Sequence, residues 1–314
     1  RTLPTWTFLR RIREPLTLTN PSRNWTSIYD LPNLPKALLL SSMSEYQTKR
    51  ILIWGKTYPE LSTKYGETVC TAGCLEDGRP IRIYPVPFRL LEDYKKYSLY
   101  QWIEAPIRPR EQDPRPESYE IDANRITSGD TIAPGPGWMK RREFINKDRA
   151  WHFDSVRHLK DAQRQSDQSL GIVPVAEVSR VYTKRRTADK EREHERELRA
   201  ARSQGNLFDN GKRPWLNFQR HRVCVEWLCG TPGQPHPDCK GHDMNILDWG
   251  LGELTRREGP EKARQKIESI CNPRKNELKF FLGNMQRYPQ SFTIVGLWYP
   301  KRADVERRSN PLFD

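Results

Sequence analysis

GETVCTAGCLEDGRPIRIYPVPF, residues 66–88, is the stretch on which the fold turns. Two apolar runs flank Asp77-Gly78, and glycine tolerates the positive φ that a tight hairpin turn needs. The second run alternates, with Ile81 and Ile83 on one face and Arg82 and Tyr84 on the other. Upstream, KRILIW (49–54) reads as a buried strand. Downstream come a short helix near 89–100 and two strands, QWIEAPIR (101–108) and ESYEID (117–122). Short strands joined by hairpins predict a small barrel or curled sheet over about 45–125.

Working outward, GPGWMKRREFI (135–145) predicts a helix after a Pro-Gly turn, and SLGIVPVAEVSRVY (169–182) a strand interrupted by Pro174. The stretch KRRTADKEREHERELRAAR (184–202) holds thirteen Lys, Arg, Asp and Glu residues and almost no apolar stripe, as in a solvated helix or linker. Beyond it, NFQRHRVCVEWLC (217–229) reads as a strand, MNILDWGLGEL (244–254) and GPEKARQKIESI (259–270) as helices, and residues 277–300 as two strands around a QRYP turn. The expected class is α+β: an N-terminal β-barrel-like domain, then a C-terminal α+β domain with an antiparallel sheet and a Cys/His loop. The expected divisions are a 1–42 extension, disordered or a misassigned start upstream of Met43, a basic β-rich domain over 43–183, a charged helix or linker over 184–212, the second domain over 213–300 and a tail over 301–314.

The net charge of +14 favours a polyanionic partner, nucleic acid above all. No apolar run exceeds four residues, the length of Ala37–Leu40, which is too short to span a bilayer. Six cysteines in 314 residues do not suggest a disulfide scaffold, and no signal peptide is evident, so a reducing, cytoplasmic setting is expected.

Cysteine spacing then separates two kinds of site. Cys70 and Cys74 on one strand would stand about 13 Å apart, too far to share an ion, and read with Cys271 as buried thiols. Cys229, Cys239 and His242 differ. The Cys-Lys-Gly-His knuckle brings two donors together on one turn, and three such donors predict a structural zinc ion. A fourth ligand is not set by spacing. Cys224 falls on the opposite strand face, while His221 and His236 fit better.

Other groups point to two further chemistries. His242, Asp248, Glu277 and Lys279 are the candidates for a metal-dependent nuclease, in which carboxylates hold a divalent ion and a lysine steadies the phosphorane. Equally, Asp248 suits the start of a helix. A nucleic-acid surface is expected from Arg82, Tyr84, Arg89, Lys95, Lys96 and Tyr97, extended by Lys140, Arg141 and Arg142, because rings stack on bases and cations meet phosphates. QGNLF (204–208) resembles the bacterial sliding-clamp-binding motif, which implies a clamp-tethered adaptor as a third possibility.

The phrases KTYPELSTKYGETVCTAG (56–73), CKGHDMNILDW (239–249) and LGNMQRYPQSF (282–292) resemble an uncharacterised group of prokaryotic proteins. That resemblance implies no activity. The sequence as a whole is therefore read as a prokaryotic, zinc-stabilised nucleic-acid-binding protein, from a mobile-element or defence setting.

Overall fold

Five strands close on themselves around the hairpin. The structure, a computed structural model, describes residues 45–62, 66–203, 216 and 218–309. The 1–42 extension and the QGNLF peptide lie outside them. Strand β1 (Gln47–Lys56) pairs antiparallel with β3 (Gly66–Leu75) along its second half and with β5 (Gln101–Pro109) along its first. The hairpin joins β3 to β4 (Pro80–Val86), with Cys74 opposite Pro80 and Gly78 at φ +90°. Strand β6 (Ser118–Ile121) bridges β4, in parallel, to β5. The ring β1-β3-β4-β6-β5 is thus closed, and β2 (Glu60–Ser62) and β7 (Thr127–Thr131) flank it. Closure leaves the ring no free edge. Ile51, Ile53, Ile81, Ile83 and Ile103 fill its interior, as the alternation required.

The segment after the hairpin departs from expectation. In place of a helix near 89–100 stand two 3-10 turns, Phe88–Leu90 and Asp93–Lys95. Phe88, Leu91 and Tyr97 are the side chains there that enter the barrel core, while Tyr100 is buried in the core shared with the second sheet. Spacings of three and six suit short turns that dip repeatedly into the barrel mouth, and form no 3.6-residue stripe.

Helix α1 (Met139–Ile145) and helix α2 (Val156–Ser166) lead into the second sheet. Its strands run β10 (Gln234–Pro235), β9 (His221–Thr231), β8 (Leu170–Arg185), β12 (Lys279–Met285), β13 (Tyr288–Trp298), and β11 (His242–Asn245) also pairs with β9. Strand β8 runs through Pro174 and pairs with β9 and β12, so it belongs to the second sheet and the seam falls near residue 150 rather than 183. The charged stretch forms helix α3 (Ala188–Ser203), an excursion between two paired strands of one sheet, not a divider between domains. MNIL is extended, not helical: β11 ends at Asn245, Met244 and Ile246 are buried at period two, and helix α4 (Trp249–Glu258) starts only after Asp248 caps it. Helix α5 (Pro260–Ile270) follows with Pro260 at its first position, and helix α6 (Arg302–Ser309) occupies the expected tail.

The two sheets share a core. Leu52, Trp54 and Trp102 on the outer barrel face pack with Trp151, Phe281 and Trp298 of the second half. Trp54 stacks on Phe281 at 4.5 Å and on Trp151 at 5.2 Å. All described residues fall in one compact unit. No helix among them is long and apolar enough to cross a membrane.

Candidate metal centre and basic surfaces

The loop after β9 is shaped by glycine and proline. Gly230 has φ +132°, and a Cβ there would lie 2.5 Å from both the Gln234 carbonyl oxygen and the His236 nitrogen. Only glycine lets the chain fold back so closely. The His236 N–H then donates to the Cys229 carbonyl (2.8 Å), and the Cys239 N–H to that of His236 (2.8 Å). Gly241, at φ +89°, turns the knuckle so that His242 opens β11 opposite Trp227. Through this path the three expected donors converge.

His242 Nε2 lies 3.4 Å from Cys229 Sγ and 3.3 Å from Cys239 Sγ, and the three donor atoms fall within 4.8 Å of one another. The group could hold a metal ion. Burial pushes the Cys229 thiol up to about 12 and the His242 imidazole down to about 4. His242 is therefore neutral at pH 7, the form in which it can donate a lone pair. Neither residue favoured as a fourth ligand joins the donor group: the His236 ring packs edge-on against His158 at 5.1 Å and His221 lies opposite Arg185, while Cys224, set aside by its strand face, lies opposite Asn245. Among the described residues no other group of three or more His, Cys, Asp or Glu is arranged for a metal.

The catalytic candidates do not assemble. Asp248 caps helix α4, its Oδ1 accepting from the Leu251 N–H at 2.8 Å. Burial raises its pKa against the pull of those backbone amides and of Lys56. Glu277 is held by Arg142 through both oxygens, and Lys279 stands 3.2 Å away. Burial would raise Glu277, but these two cations outweigh it and hold the carboxyl below its ordinary value. Both acids thus have structural partners.

The expected nucleic-acid residues are mostly spent inside the fold. Tyr97 is 3% exposed and bonds Thr71 at 2.8 Å, so it is a core residue and offers no ring to a base. Arg141 is 8% exposed and stacks on Tyr100 at 3.9 Å. Arg89 pairs with Glu67, Lys95 with Glu92, and Lys96 with Asp93. Arg82 is 5% exposed and, with Tyr84, lines a pocket between the sheets, as does the half-buried Cys70. Cys271 is buried as expected. Of the nine, Lys140 is the one that is exposed and makes no ion pair among the described residues.

A different basic surface emerges where β8 and β9 run out of the sheet. Lys184 stands directly opposite Arg222, and Arg185 opposite His221. Lys184 and Arg185 are exposed, and none of Lys184, Arg185 and Arg222 makes an ion pair among the described residues. Neighbouring Arg186 stacks on Phe218 at 4.6 Å. Basic residues of β8 and β9 meet only once the strands pair, so spacing along the chain does not reveal the cluster.

The comparisons agree with this seam. The model of a domain of unknown function, DUF8758, matches residues 47–147, and that of a second, DUF8757, matches residues 152–314. The first takes in the barrel and helix α1, the second the sheet with the Cys/His loop. No curated protein matches the chain. With the second model covering more than half of its 314 residues, the chain belongs to the family defined by the DUF8757 domain.

Proposed function

We propose that this is a zinc-clipped, nucleic-acid-binding protein of a prokaryote. The observation that carries the binding reading is the basic ladder at the ends of β8 and β9. Like charges placed directly across a strand pair, as Lys184 and Arg222 are, destabilise it. A surface that keeps them, in a chain of net charge +14, is suited to a polyanion that supplies the missing negative charge. Exposed Tyr94, 69% accessible with Lys95 5.1 Å from its ring, offers the barrel side a stacking group that Tyr97 does not.

Binding to single- and double-stranded DNA and RNA should fall about 100-fold between 50 and 200 mM salt if roughly four phosphates are contacted. Replacing Lys184 and Arg222 by alanine should flatten that slope by about two units without lowering the melting temperature, since it also removes a like-charge pair. Salt-insensitive binding, or none at low salt, contradicts the reading. A divalent-ion arm in the same assay reports strand cleavage, the outcome that would favour the nuclease alternative.

The identity of the metal is argued from its donors. Thiolate and imidazole suit zinc, whereas magnesium prefers oxygen. A tetrahedral ion at about 2.3 Å from sulfur and 2.0 Å from nitrogen sets these atoms about 3.5 Å apart, close to the separations found. The role assigned is structural, because the loop over 230–238, with three prolines and two glycines, has few backbone bonds to close it. Among the described residues no fourth His, Cys, Asp or Glu joins the group. Since Cys229 must lose its proton to bind, zinc affinity should fall about tenfold for each unit of pH lost below neutrality through that thiol alone. His242 should add a further loss only near pH 4. Titration against a zinc-chelating dye at pH 7.5, 6.5 and 5.5 measures the slope. An affinity flat in pH would remove the thiol from the ligand set.

A further inference from the structure

A pocket of about 290 Å3 opens between the barrel and the second sheet, and three arginines line it: Arg82, Arg110 and Arg115. Their charges are met very unequally. Arg115 is satisfied, forking onto Asp113 at 2.7 and 2.6 Å and onto the Asn284 carbonyl oxygen at 3.0 Å. Arg110 reaches that same Asp113 only at 3.9 Å, its carboxylate already engaged by Arg115 and by Ser118 at 2.6 Å. Arg110 lies instead over the Tyr84 ring at 5.0 Å.

Arg82 is the informative one. Its guanidinium is buried, and among the described residues it makes no ion pair. Nη2 donates to the backbone and hydroxyl oxygens of Ser169, both at 3.1 Å. Nη1 meets only the Cys70 sulfur at 3.5 Å, a weak acceptor, and Nε meets nothing. Glu117, packed nearby on Ser169, gives one oxygen to the Ser169 and Leu170 N–H groups and does not pair with Arg82. A buried guanidinium that no carboxylate contacts directly is costly, which makes a pocket beside it attractive to an anion. The position is built to keep it there. Glycine at 283 leaves room for Arg82 Nη2, which a Cβ would approach to 3.3 Å.

We propose that this pocket binds a phosphomonoester, with Arg82 and Arg110 supplying the positive charge and Tyr84 flanking the attached group. A guanidinium pair matches the oxygens of a phosphate dianion in geometry and charge. The volume admits the ester's sugar as well as its phosphate. Exposed Glu60, on the rim, is the one acidic residue lining the pocket. The phosphomonoester comes from either of two sources, a free nucleotide or the end of a strand. Tyr58 and Glu60 also line the neighbouring cleft, where Arg186, His221 and Arg222 of the basic ladder stand. A strand lying on the ladder would therefore find the pocket at its end, and this second source rests on the nucleic-acid reading above.

The test uses the full chain and four probes: inorganic phosphate, adenosine 5′-monophosphate, and one oligonucleotide bearing either a 5′-phosphate or a 5′-hydroxyl. Calorimetry measures affinity, and the rate of iodoacetamide alkylation at half-buried Cys70 reports occupancy of the pocket itself. We expect the nucleotide or the 5′-phosphorylated strand to bind and to slow Cys70 alkylation. Arg110→Gln should weaken that binding by about tenfold or more. Because Arg82 is buried and its replacement risks misfolding, the partly exposed Arg110 serves as the principal variant, with Arg82→Lys beside it. Preference for the 5′-phosphorylated over the hydroxyl strand identifies a strand end, and binding of the nucleotide alone identifies a small molecule; both support the proposal. Equal binding of the two oligonucleotides, with neither nucleotide nor phosphate protecting Cys70, overturns the pocket but leaves the ladder standing. Protection of Cys70 by nucleotide without any oligonucleotide binding does the reverse.

Discussion

Cys239→Ser should abolish metal binding and lower the melting temperature of the whole chain by about 10 °C or more. The expectation follows from how little else closes the loop. Between β9 and β11 the backbone is held by a two-residue strand and a few turn bonds, and its prolines cannot donate. With three donors at the centre, removing one leaves two, too few for a stable tetrahedral clip. Cys229 is fully buried and packs with Trp227 and Phe280, so a loosened loop exposes the middle of the second core. Elemental analysis of the purified wild type, then thermal melts of wild type, Cys239→Ser and a Cys70→Ser control, measure the effect. The control should keep both metal and stability, because Cys70 lies at the pocket on the barrel side. A metal-free wild type that melts with the variant would reduce the cluster to hydrogen-bonded thiols.

What could be read from the chain, and what could not, divides along physical lines. Local, periodic signals served well: Asp77-Gly78 marked the hairpin, Ile81 and Ile83 marked the barrel interior, and the QRYP turn marked β12–β13. The Cys-Lys-Gly-His knuckle was legible because two of its donors meet within one turn, and Cys229 joined them through a short loop. Long-range pairing was illegible. Strands β8 and β9 are adjacent in the sheet but separated by a charged helix, so the chain looked divided where it is in fact doubled back. Basic and aromatic residues misled for a related reason. Lys95, Lys96 and Tyr97 sit side by side in sequence, yet two are paired to acids on their own turn and the third is inside the barrel. Composition gives the surplus of charge, while only packing decides which cations are left over. Lys56 shows the same limit. Its amine is enclosed, donating to the Tyr97 carbonyl at 3.0 Å above the Phe88 ring, and burial lowers its pKa to about 8.

Trp54→Ala should destabilise the protein by about 3–5 kcal/mol, and both sheets should be lost together. Trp54 belongs to the barrel strand β1, but its ring clusters with Phe281 of β12, in the other family domain, and with Trp151, which lies between the two matched segments. Its strand neighbour Gly55 comes close to the second sheet as well: a Cβ there would stand 3.2 Å from the Val295 carbonyl oxygen. Truncating Trp54 opens a cavity bounded by both sheets, which neither can refill alone. The indole N–H has no acceptor in the fold, so Trp54→Phe keeps the stacking and removes an unsatisfied donor; it should cost much less than alanine. Two family domains joined by such a core should behave as one folding unit. A fragment ending near residue 150 would strip Trp54 of both its stacking partners, Phe281 and Trp151, and is expected to aggregate or remain unfolded. Urea denaturation followed by tryptophan fluorescence and far-ultraviolet circular dichroism tests this directly. One coincident transition, shifted as a whole by Trp54→Ala, is the expected result. Two separable transitions, or a barrel fragment with its own cooperative melt, would mean that the sheets fold independently and merely touch.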